Sequence, residues 1–348
     1  MKLLILTQEV NKNDTVLGFF HAWIEKLSEQ FESIEVICLE RDEYELPGNV
    51  TVHSLGKEEG SGRLTRVWRF YTYVWTLRKS YDAVFVHMNQ EYILLGGMPW
   101  KLLGKKIYMW RNHHAGTILT DIAAIFCTKI FCTSRYSFTA KYAKTTLMPV
   151  GVDTDVFKPD KHIDRKRDSV LFLGRMSPVK KPDMLLGALI SLHDHGVDFS
   201  ATFVGDPGPD DDAYYISLKE MAKSAGIFNT NVAFLPGVPH DETVKYYNSH
   251  EIFVNLSTSG MYDKTIFEAM VCECLVLVSN ENMRNIVDDK FIFNYGDKKM
   301  LCAKLERLIK LADNEKKDAG AKLREVAAKN HSLSLLVQKL CKEIVNTI

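Results

Sequence analysis

The segment Val170-Leu-Phe-Leu-Gly174-Arg175-Met-Ser-Pro-Val-Lys180-Lys-Pro-Asp reads as an apolar strand ending in glycine, then a cation, a Ser-Pro turn and two lysines ahead of a helix. Ligands of doubly wound domains gather at the carboxyl ends of strands, and cations beside a helix start suit a diphosphate. Taken alone, Arg175 and Lys180 fit a diphosphate and a solvated loop equally well. A second segment, Ser257-Thr-Ser-Gly260-Met261-Tyr-Asp263-Lys264-Thr-Ile-Phe-Glu268-Ala-Met, offers a small-residue loop whose amides, with the following helix N-terminus, could face an anion. Asp263 needs no other purpose than capping that helix. Glu268 is the sharper candidate, because a carboxylate flanked by Phe267, Ala269 and Met270 must find a partner or bear a desolvation cost.

Near the amino terminus, Asp14-Thr-Val-Leu-Gly18 follows the first apolar run and opens a helix, whose first amides are predicted to be free for a phosphate. His21, between Phe20 and Trp23, is read as packing. His113 and His114 follow another apolar run, and adjacent histidines are expected to point apart; with no third ligand at suitable spacing, no protein metal site is predicted. Between Arg63 and Lys79, the residues Leu64, Val67, Trp68, Tyr71, Val74 and Trp75 form one helical stripe with basic residues around it. The favoured reading is a helix packed on a sheet. The sharper one is an interfacial patch for anionic lipid or a lipid-linked acceptor, since Lys57 to Arg111 holds ten basic and four acidic residues.

The elements that must position these residues alternate between short, continuous apolar runs and segments of helical period, the mark of parallel strands covered on both faces. The runs in the first half are Lys2–Thr7, Glu35–Leu39, Val50–Leu55, Asp82–His87, Lys106–Trp110, Lys129–Thr133 and one near Leu147. Those in the second half are Ser169–Gly174, Ser200–Gly205, Asn231–Leu235, Glu251–Leu256, Cys274–Ser279 and Phe291–Asn294. The polar stretch Pro159–Asp168 is predicted to be the linker between two α/β doubly wound domains, 1–158 and 159–332, facing a cleft. A final amphipathic helix over 333–348 packs on either domain, with a return to the first the preferred placement.

The 348 residues suit two domains, and 44 basic against 44 acidic side chains leave no net charge to draw nucleic acid or bulk membrane. Any anion affinity must be local. Seven cysteines without a CxxC pair read as buried thiols in a reducing cytosol. Met1–Leu6 reads as a buried strand rather than a leader, and no run approaches the ~18–20 apolar residues of a membrane span.

Taken in order, these elements resemble glycosyltransferase family four. Gly174-Arg175-Met-Ser-Pro-Val-Lys180 is similar to its G-R-L-x-x-x-K element, and Met148-Pro-Val-Gly151-Val-Asp153-Thr-Asp-Val-Phe157-Lys-Pro159 to its N-G-V-D-x-x-x-F-x-P element, with Val150 where asparagine is common. Phe203-Val-Gly205-Asp206-Pro-Gly208-Pro resembles its V-G-x-G-P turn, and Asn231-Val-Ala-Phe-Leu-Pro-Gly237-Val238 its N-V-x-F-x-G-x-V strand. The family's paired glutamates have seven residues between them. Glu268 matches the second, but Gly260 occupies the place of the first, with Asp263-Lys264 shortly after it as in a variant branch.

The resemblance implies the GT-B fold, two facing Rossmann-like domains, and a retaining transfer of a sugar from a nucleoside diphosphate sugar to a hydroxyl acceptor, a glycan or lipid-linked glycan. It implies that Arg175 and Lys180 hold the diphosphate, that Glu268 meets the ribose, and that His113 lies by the reacting carbon. It adds Gly18, Gly174, Gly205, Val238, Gly260, Met261, Asp263 and Lys264 as donor contacts. No cofactor beyond the nucleotide sugar is implied, nor a metal. The expected location is cytoplasmic, with peripheral membrane contact through 63–79 in the sharper reading. The alternatives are a non-catalytic nucleotide-sugar or glycan-binding protein of the same fold, which the missing first glutamate favours, and a sugar-nucleotide epimerase.

Overall fold

The computed structural model describes residues 1–346. They form two α/β units, the first comprising Met1–Gly151 together with the chain's end from Leu333, the second Val152–Ser332. In the first, the chain runs β1 (Lys2–Val10), α1 (Phe19–Ser28), β2 (Ser33–Arg41), β3 (Val50–Ser54), α2 (Arg63–Thr76), β4 (Ala83–His87), α3 (Glu91–Leu102), β5 (Lys106–Trp110), α4 (Ile118–Phe126), β6 (Lys129–Cys132) and β7 (Thr145–Leu147). The seven strands pair in the order β3-β2-β1-β4-β5-β6-β7, all parallel. Alternate residues of β1 serve opposite faces: Leu3 and Ile5 join the core with α1, whereas Leu4 and Leu6 join the one with Phe70, Val74, Ile93, Trp100 and Ala123 of α2, α3 and α4.

The second unit runs β8 (Lys166–Leu173), α5 (Pro182–Asp194), β9 (Ser200–Val204), α6 (Asp212–Ser224), β10 (Val232–Leu235), α7 (Thr243–Ser249), β11 (His250–Asn255), α8 (Lys264–Val271), β12 (Leu275–Val278), α9 (Lys298–Ile309) and α10 (Asp313–His331). Its sheet order is β10-β9-β8-β11-β12, again parallel. The last helix, α11 (Leu333–Val345), returns to the first unit, where Leu333, Leu336, Val337, Leu340 and Ile344 are buried with α1. Residues 347–348 of the expected terminal helix lie outside the described residues.

The structure corrects three sequence expectations. The units divide after Gly151, not at 158/159, because Val152 N bonds His331 O and Phe157 is buried in the second unit. The polar stretch taken as a linker is bolted down. Arg165 donates to Asn248 O, Glu273 O and Cys272 O at 3.2, 2.8 and 2.6 Å, giving carbonyls at the ends of α7 and α8 a charged donor. Phe291–Asn294 is not a strand: a 3-10 turn over Asp289–Phe291 leads to a single bridge, Val278 to Ile292, and Lys304 takes the Ile292 carbonyl. No helix among the described residues is long and apolar enough to cross a membrane, and their cysteines are free.

Candidate functional site

Strand order reverses between β8 and β11, where the chains leaving the two strands turn to opposite sides and open a crevice at their carboxyl ends. The loop after β8 carries Gly174, Arg175 and Lys180, and that after β11 carries Ser257, Gly260 and Asp263. Lys180 Nζ lies 2.7 Å from Asp263 Oδ2 and 3.3 Å from Ser257 Oγ, which itself donates to the same Oδ2 at 2.7 Å. Asn255 Nδ2 adds a bond at 3.1 Å, while Thr265 donates to Oδ1 through its amide and its hydroxyl, at 3.3 and 2.8 Å. Burial alone would raise the pKa of Asp263, but the Lys180 ammonium and the bonds from Lys180, Ser257 and Asn255 outweigh it and hold the carboxyl far below the usual range. Asp263 is thus the N-cap of α8 and the anchor of Lys180 at once.

Close backbone approach shapes the floor. Gly205, at the end of β9 with φ +148°, lies so near Gly174 that a Cβ would meet the Gly174 carbonyl oxygen at 2.1 Å. Gly174 itself has φ +152°, a backbone conformation that residues with a side chain rarely adopt, although a Cβ there would meet no neighbour. Arg175 follows, exposed and without an ion pair among the described residues. Gly260 is buried with φ +122°, and the half-buried Met261 fixes its carbonyl on Asn280 Nδ2 at 2.7 Å. Val238 is half-buried in the loop after β10.

Glu268 is 2% exposed, one helical turn beyond Lys264. His240 Nε2 meets its Oε1 at 2.7 Å and Tyr247 donates to Oε2 at 3.2 Å. Burial pushes its pKa up, but His240, Lys264 and Tyr247 together bring it below the ordinary value, so it stays a carboxylate. Burial and Glu268 drive the Tyr247 phenol well above its own, keeping it a neutral donor. Burial lowers Lys264 to about 8 against the opposing pull of Glu268 and Asp153. Each Glu268 oxygen retains a second acceptor direction.

At the two expected anion-binding helix starts, some backbone donors are already used. Asp14 Oδ1 accepts the amides of Val16, at 2.8 Å, and Leu17, while the Gly18 amide bonds Asp14 O at 3.2 Å. The Thr265 amide at the start of α8 is likewise taken by Asp263. Asp14 thus ties down the turn ahead of α1, whose own N-cap Gly18 receives no side-chain bond, whereas Asp263 caps α8 directly. In the first unit, Gly18 and His113 both stand at the carboxyl edge of the sheet, after β1 and β5. The His113 and His114 rings do not point apart: they stack at 4.5 Å and 23°, and His113 Nδ1 is 3.0 Å from both the amide and the carbonyl of Ala115. His21 accepts the Glu45 amide at 3.2 Å. Among the described residues no cluster of three His, Cys, Asp or Glu could hold a metal ion.

Three residues were not anticipated, namely His240, Tyr247 and Asn255. Asn255 left a readable trace, a polar residue closing the apolar run Ile252-Phe-Val at a strand's carboxyl end. His240 and Tyr247 left none, since they reach Glu268 from a different element.

Residues 167–311, less than half of the chain, match the family described as glycosyl transferases group 1. A D-inositol 3-phosphate glycosyltransferase of Rhodococcus opacus is 30% identical over 130 residues, 37% of this chain and 29% of the relative. The chain spans under a third of the length of such curated relatives. Among solved structures, Anabaena Alr3699/HepE in complex with UDP and glucose superposes with a TM-score of 0.79 at 16% identity, over 99% of both chains. Sucrose-phosphate synthase of Thermosynechococcus elongatus gives 0.79 at 14% identity, covering 99% of this chain and 98% of its own. The fold is GT-B in kind, with two parallel-sheet α/β units.

Proposed function

We propose that the protein is a retaining glycosyltransferase that takes a sugar from a nucleoside diphosphate sugar to a hydroxyl acceptor, a glycan or lipid-linked glycan. The observation that carries this reading is the cation pair Arg175 and anchored Lys180 at the strand-order reversal of the second unit, beside a carboxylate, Glu268, held ionised within the fold. The glycosyltransferase names of the partial relatives and the UDP complex of a structural neighbour support the same chemistry.

Arg175 and Lys180 bind the donor diphosphate and stabilise the charge that grows on it as the glycosidic C–O bond breaks. Glu268 accepts the ribose hydroxyls through its unused lone pairs. Asp263 positions Lys180 and leaves the donor sugar to other groups, with Gly174, Gly205, Val238, Gly260, Met261 and Lys264 around the donor. In the front-face route, the acceptor oxygen bonds the anomeric carbon on the side the diphosphate leaves, and a phosphate oxygen receives the acceptor proton. No enzyme nucleophile or metal is needed in this scheme, unlike the paired carboxylates of retaining glycosidases. His113 is assigned a role in turnover, and the free cysteines suit a reducing cytoplasm.

The test is turnover with a panel of UDP-, GDP- and ADP-sugars. Arg175→Ala and Lys180→Ala should each lower kcat/KM at least about a hundredfold with circular dichroism unchanged. Full rates in both variants would remove the site assignment. Product formed from donor alone would instead indicate an epimerase, and tight nucleotide binding without transfer a binding protein.

A further inference from the structure

The 63–79 helix does pack on the sheet, but through Phe70 and Val74 and not through most of its expected stripe, because α2 is apolar on two sides. Phe70 and Val74 face the sheet, whereas Leu64, Trp68 and Trp75 are 87%, 67% and 61% exposed, with Val67 and Tyr71 beside them. Leu64, Trp68, Tyr71 and Trp75 recur at helical spacing on the outer side. The neighbouring helices of the same layer continue it. Tyr71 on α2 donates to Leu95 O of α3 at 3.1 Å, and α3 exposes Met98 and Leu102. Next to α3, α4 exposes Ile118, Leu119, Ile122 and Ile125 in its own stripe. Three adjacent helices of one sheet face thus present large apolar side chains to solvent, which a freely soluble surface avoids.

The charges around this face are mostly basic. Residues 63–126 contain nine basic and three acidic side chains in a chain whose total is balanced. Asp121, one of the three, is neutralised by Lys141 at 2.6 Å. Arg63, Lys79 and Lys101 are exposed at the ends of the helices, and the Arg78 guanidinium lies 4.4 Å over the Trp75 ring, where it can cover apolar surface and still reach a phosphate. Tryptophan and tyrosine flanked by arginine and lysine are the side chains that settle at a bilayer's headgroup level.

We propose that the outer face of α2, α3 and α4 docks on an anionic phospholipid bilayer, with Leu64, Trp68, Trp75, Leu102 and Ile125 entering the headgroup and acyl boundary and the surrounding cations meeting lipid phosphates. Charge complementarity selects this occupant over an apolar protein partner, which would not require a cationic rim. The inference is independent of the donor site, and nucleotide-sugar turnover is read separately from it.

The test is flotation of the full chain with vesicles of phosphatidylcholine alone and of phosphatidylcholine and phosphatidylglycerol in equal parts. Binding should appear only with phosphatidylglycerol and weaken as salt is raised. The triple variant Leu64→Glu, Trp68→Glu, Trp75→Glu alters only exposed side chains, so its circular dichroism should be unchanged while its partition coefficient falls about tenfold or more. Ile216→Glu, at an exposed apolar position of α6, should bind like the parent. Absence of binding to phosphatidylglycerol vesicles, or equal binding by the triple variant, overturns the proposal. So does a dimer in light scattering that the triple variant abolishes while vesicles bind neither form, since a second copy would then be the occupant.

Discussion

Asp263 accepts five hydrogen bonds, from Lys180, Ser257, Asn255 and twice from Thr265, while a carboxylate offers only about four lone-pair directions. None is left for a sugar hydroxyl, so in the proposed reading the residue positions Lys180 and does not play the part of the glutamate whose place Gly260 takes. Asp263→Asn keeps the shape but sets an amide N–H against either the Lys180 ammonium or the Thr265 donors. Donor KM should rise about tenfold, equivalent to ~1.4 kcal/mol, with a smaller change in kcat. The same substitution has a pH signature. The folded carboxyl titrates below its unfolded value, so its stabilising contribution is present above about pH 4 and is lost as pH falls towards the folded value. Denaturant midpoints followed from about pH 7 to about pH 3 should fall in the parent more steeply than in Asp263→Asn. Parallel acid limbs would show that the ion pair contributes nothing to folding.

At the scale of elements, Phe157 links the second unit's entry segment to its buried carboxylate. Its ring lies 5.1 Å from His240 and 6.1 Å from Tyr247, the two groups that hold Glu268. Phe157→Ala should therefore cost ~3–5 kcal/mol of stability and loosen Glu268 as well, whereas Phe157→Leu should cost less. Chemical denaturation measures the first effect and nucleotide affinity the second; a variant that keeps both would sever this link. The example marks the limit of what patterning conveys. Continuous apolar runs located the strands, and Gly174, Gly205, Arg175 and Lys180 were legible because glycine and cations at strand ends have a physical purpose there. Periodicity says that a face is buried, not which polar groups from other elements meet on it, so His240 and Tyr247 stayed hidden. In α2 it failed differently. Phe70 and Val74 form one apolar stripe and Leu64, Trp68 and Trp75 another, and nothing in the helix alone decides which faces the sheet. Nor could motif order reveal that Asp14 takes the Val16 and Leu17 amides ahead of α1, or that Asp263 takes the Thr265 amide of α8.

For the whole chain, the second unit is an insertion into the first, leaving it after Gly151 and returning at Leu333. The return is structural. Leu333, Leu336, Val337, Leu340 and Ile344 are buried against α1, Tyr108 donates to Ile344 O at 3.0 Å, and Lys129 pairs with Glu343. A Cβ on Gly151 would meet Leu336 at 2.4 Å, and Trp23 Nε1 donates to the Gly151 carbonyl at 3.3 Å, so the exit point and the returning helix are packed on the same core. Fully burying one such aliphatic side chain contributes ~1.5–3 kcal/mol, and five together are of the same order as the ~5–15 kcal/mol that stabilises a typical domain. Ending the chain after Ser332 should therefore unfold the first unit and spare the second, whose core uses none of these residues. Calorimetry of the truncated chain should show one cooperative transition at the position the second unit has in the parent, with the heat of the first unit missing. Tryptophan fluorescence offers an independent reading, because the protein's five tryptophans all precede residue 152, so the native emission should be lost while the second unit's ellipticity persists. A truncated chain that keeps both transitions would mean that α11 is an accessory to the first unit rather than part of its core.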